Sequence, residues 1–317
     1  MEQLKLNNEY FNHPIFHKKL LHLNTPAMKN LHDELHHWLW TGSTGGLIPG
    51  TSRVGKTTAI LAVSDELYTR GKIKIPVYYI SIPDRDQHNI SSIFKLLCFN
   101  ENLRVKSHDS ADNLSNRFIH YIADKAVERN CQDAVLVVDE MQRLRVKQFN
   151  AFAEIYDKLL LLDINLTVIF IANDPEVWQL VELIEEPKYA HIHGRFFMQG
   201  LSFKGLTSAA DVKVCLNQYD TLRYPKDGLT YTEYFLPKAI ETNWKLSSLS
   251  NDMWRVFREY QKQYKLESWG MKYFTVSVNT LLSDMLPEYG IDNFDDEMMH
   301  ECIRLSKIIP SLVRPVK

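Results

Sequence analysis

The stretch GLIPGTSRVGKTTAI, residues 46–60, narrows the possible folds more than any other part of the chain. Gly50, Gly55, Lys56 and Thr57 spell G-x-x-x-x-G-K-[ST]. A short apolar piece, Leu47-Ile48, precedes the turn. After it, TTAILAVSDELYTR (57–70) carries Ile60, Leu61, Val63 and Leu67 at helical spacing and predicts a helix. A glycine-rich turn between a strand and a helix lets backbone N–H groups point into one concavity. The helix N-terminus adds partial positive charge, so the concavity suits a phosphate chain. Gly50, Thr51, Ser52, Arg53, Val54, Gly55, Lys56, Thr57 and Thr58 are therefore candidate ATP-binding residues. Lys56 would reach the β- and γ-phosphates, and Thr57 would offer its hydroxyl to Mg²⁺.

A second element supplies what hydrolysis still needs. AVLVVDE (134–140) is a nearly continuous apolar run ending in two acids, the pattern of a parallel strand buried on both faces. Ligands of open α/β sheets bind beyond the carboxyl ends of the strands, which brings Asp139 towards the glycine turn. Asp139 is the candidate Mg²⁺-holding carboxylate with Thr57, and Glu140 the candidate base that polarises water. The alternative is a strand that ends in solvated acids. The next strand, LTVIFIAN (166–173), ends at Asn173, a candidate to orient the same water. Its alternative is a turn residue before a helix capped by Asp174 with Pro175 at N1.

The rest of the chain fits an open parallel sheet. Thr25-Pro26 opens a helix through about Trp40; IPVYYISI (75–82) reads as a strand, and ISSIFKLLCF and LSNRFIHYIADKAVE as helices. FAEIYDKLLLL and PEVWQLVELIEE are helical, and FFMQGLSF (196–203) predicts the last strand. Alternating strands and helices imply an α/β fold. From about Thr207 only helices are expected: TSAADVKVCLNQY, TEYFLPKAIE, SNDMWRVFREYQKQY, TVSVNTLLSDML and DDEMMHECIRLSKII. The expected organisation is an N-terminal extension (1–24), an α/β domain (25–206) and a small helical domain (207–317).

At this point the residues resemble a family. The glycine turn, VLVVDE, a polar residue after the next strand, HGRFF before a final strand, and a helical lid together look like the AAA+ ATPases. Within them, NTPAMKNLHDELHHWL before the turn and YYISIPDRDQHNISSIFKLL after it are similar to the initiator-type group that includes the TnsC and TniB transposition regulators. The resemblance covers about residues 20 to 260. It implies a P-loop parallel sheet with helices on both faces followed by an all-α lid, binding ATP and Mg²⁺. It also implies an oligomer in which a neighbouring copy supplies an arginine to the nucleotide. Arg195, in GRF, matches that position by order along the chain; the alternative is a surface salt bridge to Glu185 or Glu186. Arg255, in MWRVF, is the nearest candidate for a nucleotide-sensing lid arginine, although no G-x-R pattern precedes it.

Two basic groups bear on partners. Lys95, Arg104 and Lys106 lie in and after the helix that follows the second strand, and Arg143, Arg145 and Lys147 follow VLVVDE. The resemblance implies that such residues track a DNA backbone in a central channel, giving affinity and salt dependence without sequence readout. The alternatives are ordinary surface charge and, for some of Arg143, Arg145 and Lys147, coupling to the nucleotide interface. A formal net charge of −2 excludes a surface that is basic throughout, but not a ring that aligns local patches.

Other features count against competing chemistry. His32 and His36 in HDELHH lie one turn apart, but Asp33 stands where H-E-x-x-H needs glutamate, so a solvated helix face is expected. The four cysteines show no C-x-x-C spacing, which points to a reducing cytoplasm and no disulfide framework. MEQLKLNNEYFNHP lacks the apolar core of a secretory signal, and LLLLDINLTVIFIA is interrupted and too short to span a bilayer. Trp178, Trp244, Trp254 and Trp269 read as core residues, and the tail PSLVRPVK as an extended terminus.

The expectation is an ATP-dependent regulator of DNA transposition that assembles as a ring or short filament on duplex DNA. It would link a target-site selector to a transposase, with hydrolysis through Glu140 releasing the assembly. The alternatives are a signalling or scaffold NTPase that never meets nucleic acid, and a replication initiator or helicase loader. An enzyme modifying a small molecule fits less well, because the helical region carries no acceptor-pocket signature.

Overall fold

The computed structural model describes residues 10–17, 20–84 and 89–309. The chain divides into two compact units. One is formed by Asn30–Ser52 and Lys56–Phe203, the other by the described residues of Met1–Lys29, Arg53–Gly55 and Lys204–Lys317. The tail PSLVRPVK and part of YYISIPDRDQHNISSIFKLL lie outside the described residues.

The first unit is built on four parallel strands, β1 (Gly45–Gly50), β2 (Val77–Ser81), β3 (Asp133–Asp139) and β4 (Asn165–Asn173), in the order β1-β4-β3-β2. Strands β3 and β4 are buried along nearly their whole length, as their continuous apolar runs require. Helices α1 (Pro26–Trp40) and α2 (Lys56–Ser64) flank β1 in sequence; α3 (Ile90–Asn100), α4 (Ala111–Arg129) and α5 (Phe149–Leu160) follow. Leu97, Phe118 and Phe152 from these last three helices pack with Tyr78, Ile80, Leu136 and Val138 in one core. Gly46 has no space for a side chain, because a Cβ there would lie 2.4 Å from the Trp38 ring. Asn89 and Ser110 cap α3 and α4 by accepting N–H groups of Ser92 and Asn113.

Several element boundaries differ from the sequence reading, each because a tertiary contact outcompetes local propensity. Helix α2 stops at Ser64 rather than near Arg70. The backbone beyond it turns back on itself, with Thr69 N–H donating to Ile73 O and Ile75 N–H to Leu67 O. After β4, helix α6 (Trp178–Ile184) begins three residues past Pro175, and the Asp174 carboxylate takes the Trp178 indole N–H at 2.8 Å instead of capping. Trp178 is itself 41% exposed and is no core residue. The expected strand 196–203 is reduced to a single bridge. Phe196 closes helix α7 (Ala190–Phe196), and only Leu47 N–H to Gln199 O, Leu201 N–H to Leu47 O and Phe203 N–H to Pro49 O tie the next residues beside β1.

His36 is buried rather than on a solvated face. Its Nδ1–H donates to His32 O and its Nε2 accepts Tyr68 N–H, which uses both ring nitrogens. Among the described residues no group of three His, Cys, Asp or Glu could hold a metal, and no helix is long and apolar enough to cross a membrane. All four cysteines are buried free thiols.

The second unit is helical: α8 (Ala209–Tyr219), α9 (Tyr231–Phe235), α10 (Pro237–Thr242), α11 (Ser250–Tyr264), α12 (Met271–Thr280), α13 (Leu286–Tyr289) and α14 (Asp296–Leu305). Contrary to the expectation of helices alone, Arg223–Tyr224 (β5) and Leu229–Thr230 (β6) form a small antiparallel hairpin. Pro237 splits TEYFLPKAIE into α9 and α10, as its missing N–H requires. Trp269 is fully buried and stacks on Phe257 at 4.5 Å, while Trp244 and Trp254 pack partly buried against the same core.

Residues 10–17 belong to this unit through His13. Its ring is completely buried among Tyr224, Tyr231, Tyr234 and Phe235, with centroids 4.6 to 4.9 Å away. Nδ1 accepts the Ile15 N–H, so the neutral ring carries its proton on Nε2. Burial pulls the imidazole pKa down to about 4. An unfolded histidine titrates near 6.5, so below that pH the unfolded chain binds a proton that the folded one refuses. Stability is therefore full above about pH 6.5 and falls as the pH drops towards 4. The loss from this one group reaches about 2 kcal/mol at pH 5. His13→Phe, which keeps an aromatic ring in the cage, should show a smaller fall in melting temperature between pH 7 and pH 5 than the unaltered protein. An equal fall would remove His13 as the source.

Candidate active site

Sheet register assembles the site. Gly50 at the end of β1 lies opposite Asn173 at the end of β4, and Asp139 at the end of β3 lies opposite Ser81. Because β4 runs between β1 and β3, three carboxyl-terminal strand ends meet along one edge. Gly50 must be glycine for a packing reason: a Cβ would sit 2.3 Å from the Phe203 carbonyl oxygen and 3.2 Å from Lys56 Cδ. Arg53 and Gly55 in the following turn have φ of 69° and 101°, which admit the left-handed bends that precede α2.

Lys56 is 9% exposed, and its ammonium donates to Gly50 O at 2.6 Å, Thr51 O at 2.9 Å and Asn173 Oδ1 at 3.0 Å. Those contacts match the three donors an ammonium carries. Burial lowers the Lys56 pKa from its usual value, and the charges of Asp139 and Glu140 oppose that shift. Incoming phosphate oxygens would replace neutral carbonyls with anionic acceptors and so strengthen every bond the ammonium makes.

Asp139 is 4% exposed and fully engaged. Oδ2 accepts the Thr57 hydroxyl at 2.6 Å and the Tyr79 hydroxyl at 2.9 Å, while Oδ1 accepts the Glu140 N–H at 2.8 Å. Burial, followed by the Asp139 charge, raises the Tyr79 pKa and keeps the phenol a donor. Thr57 and Asp139 thus bring a hydroxyl and a carboxylate oxygen together. This hard-oxygen pair fits Mg²⁺, which takes one or two protein ligands and fills its shell with water and substrate phosphates.

Glu140 stands in the left-handed region at φ 60° and ψ 39°. Its Oε2 accepts Gln142 Nε2–H at 2.7 Å and pairs with Arg143 Nη2 at 3.4 Å. Arg143 is further held by Ile82 O at 2.9 Å, so this candidate DNA contact lies beside Glu140. The Gln142 side-chain oxygen Oε1 accepts Asn173 N–H at 3.1 Å. Sequence reasoning missed Tyr79 and Gln142. Gln142 sits two positions past Glu140, which is a usable signal, whereas Tyr79 is visible only once β2 is known to lie beside β3.

The remaining candidates lie elsewhere. Ser52, Arg53 and Thr58 are exposed along the turn and first helical residues, and Val54 is buried. Arg195, on α7, pairs with Asp157 at 3.1 Å and lies over the Tyr156 ring at 5.1 Å. Its partner is therefore a residue of α5, in place of the Glu185 or Glu186 considered from sequence. Arg255, on α11 of the helical unit, is held by Asp296 at 2.7 Å and Asp252 at 3.2 Å. Arg104, Lys106, Arg145 and Lys147 are exposed and Lys95 is half-buried; none pairs with an acid among the described residues.

These features can be set beside known proteins. Residues 41–181 match the family model described as an AAA domain. No curated protein matches the chain. Among solved structures, the Aeropyrum pernix ORC2 protein in its ADPNP–ADP complexes is 12% identical, with a TM-score of 0.58 over 96% of this chain and 74% of that one. Drosophila ORC bound to DNA gives 13% identity and a TM-score of 0.56, covering 98% and 71% of the respective chains. The Walker-type ATPase of Pyrococcus abyssi gives 15% and 0.52, covering 93% and 76%. The fold is that of a P-loop AAA+ protein: a parallel four-stranded sheet with helices, followed by a helical C-terminal region.

The tightness at Gly50 yields a direct check. Gly50→Ala forces a methyl against a backbone carbonyl and should cost about 1–3 kcal/mol, the range for overpacking. It should appear as a lowered melting temperature at pH 7, where His13 contributes nothing. An unchanged melting temperature would mean that β1 and Phe203 are not packed as described.

Proposed function

We propose that this protein binds and hydrolyses ATP and self-associates on duplex DNA. The convergence of Lys56, Thr57, Asp139, Glu140 and Asn173 on one sheet edge carries the nucleotide half of this reading. Gly50 to Thr58 would enclose the phosphates, with Lys56 moving from the loop carbonyls to the β- and γ-phosphates. Thr57 and Asp139 would hold Mg²⁺, which supplies charge neutralisation for the phosphate oxygens. Glu140 Oε1 would accept a proton from water as the water oxygen bonds to the γ-phosphorus. The bond from that phosphorus to the β–γ bridging oxygen breaks, and ADP leaves with the electron pair. Asn173 would orient the water, and Arg195 of a neighbouring copy would exchange Asp157 for the γ-phosphate. Arg255 would serve as the lid's nucleotide sensor only after leaving Asp296.

The DNA half rests on Lys95, Arg104, Lys106, Arg145 and Lys147, which pair with no acid among the described residues, with Arg143 beside the nucleotide site. Likeness in fold to Drosophila ORC, a structure bound to DNA, is consistent with it. The finer reading is a regulator of DNA transposition of the TnsC and TniB kind, partnered by a transposase and a target-selecting protein. A replication-initiator role is the second reading, favoured by the fold likeness to ORC proteins.

The test is ATP hydrolysis and assembly measured with and without duplex DNA at two salt concentrations. Lys56→Ala should lose ATP binding and DNA-bound assembly while keeping its fold. Glu140→Gln should bind ATP normally and hydrolyse it at least about a hundredfold more slowly. Contacts to about five phosphates predict a loss of DNA affinity of roughly 10²–10³-fold between 50 and 200 mM salt. Charge reversal at Lys95 or Lys147 should flatten that dependence. ATP turnover indifferent to DNA at every salt would leave a signalling or scaffold NTPase instead.

A further inference from the structure

We infer that Gln142 is a positioning residue for hydrolysis, locking the Glu140 carboxylate to the end of β4 so that one of its oxygens is left to face water. The inference rests on the reading of Glu140 as the water-polarising base, and it concerns how that base is aimed.

A single side chain joins two strands here. Gln142 Nε2–H donates to Glu140 Oε2 at 2.7 Å, and Gln142 Oε1 accepts the Asn173 N–H at 3.1 Å. The amide can take only this orientation, because a carboxylate accepts and a backbone N–H donates. Asn173 in turn accepts from Lys56 Nζ at 3.0 Å. An unbroken run of hydrogen bonds therefore leads from the phosphate-binding lysine through Asn173 and Gln142 to Glu140.

The distribution of donors on Glu140 gives the run its direction. Gln142 and Arg143 both engage Oε2. No described residue donates to Oε1. One oxygen is anchored and the other is free to take the proton of the attacking water. Without the anchor, Glu140 would have only Arg143 at 3.4 Å, whose guanidinium is shared with Ile82 O. A carboxylate turning about its last bonds would spend less time aimed at the water, and misplacement of about 1 Å in such a group costs roughly a hundredfold in rate.

Truncation and charge separate positioning from mere structural support. Gln142→Ala should lower kcat by about tenfold to a hundredfold, while KM and the affinity for a non-hydrolysable ATP analogue stay within about threefold. Gln142→Asn keeps the amide but is one methylene short of spanning both partners, and should fall with alanine. Gln142→Glu retains the acceptor for Asn173 but sets a second carboxylate against Glu140. Once ionised it can no longer donate to Oε2, so its kcat should fall with alanine while analogue binding stays within about threefold. Unchanged kcat in both the alanine and asparagine variants would overturn the inference, as would loss of analogue binding in parallel with kcat. Glu140→Gln serves as the control. If it hydrolyses ATP at the normal rate, the assignment of the base fails; if it is inactive while Gln142→Ala is not, only the role of Gln142 fails.

Discussion

An ammonium held almost out of water at the edge of a parallel sheet is the constraint on which the site depends. Burying Lys56 is unfavourable unless each of its N–H groups finds an acceptor, and the chain provides them from the β1 terminus, the glycine turn and the β4 terminus. Meeting that demand requires Gly50, since any side chain there would strike Phe203. It also requires β4 to lie beside β1, which register secures by setting Asn173 opposite Gly50. The same neighbourhood puts β3 one strand further on, and with it Asp139. What looks like a collection of separate polar residues is thus one electrostatic solution for a cation and an anion sharing a buried edge.

Much of this was legible in the sequence, and the reason is spacing. Gly50, Gly55, Lys56 and Thr57 are close in the chain, so their geometry follows from one strand, one turn and one helix. Asp139 and Asn173 could be placed because each ends a run of apolar residues that only a doubly covered parallel strand explains. Tyr79 was invisible for the opposite reason: its contact with Asp139 exists only through the β2–β3 pairing, which no local pattern specifies. Arg195 shows the same limit. Its partner Asp157 lies 38 residues earlier, on a different helix, where no local pattern points.

Element ends were the other loss, and they fail where long-range contacts override propensity. Residues 65–70 have helical spacing, but the backbone bond from Ile75 to Leu67 ends α2 early. The residues beyond α7 have strand composition, yet three bonds to Leu47 and Pro49 are all the pairing they find. In each case a fixed neighbour determines the backbone more strongly than a preference of a few tenths of a kcal/mol per residue.

Arg143 was assigned from sequence to DNA, and the geometry gives it a second attachment that changes what such a contact would mean. Its guanidinium bridges Glu140 Oε2 and Ile82 O, linking the proposed base to the residue after β2. A phosphate backbone drawing this arginine away would leave Glu140 with Gln142 as its remaining anchor. The two holds differ in kind. The Arg143 pairing is long and half-exposed, so a competing anion and salt both weaken it. The Gln142 bond is neutral at one end, short and tied to β4, so neither does. Under the proposed function, a base held by one displaceable and one salt-insensitive partner would keep its aim when a polyanion engaged the arginine, so nucleic acid and catalysis could meet at this loop without conflict.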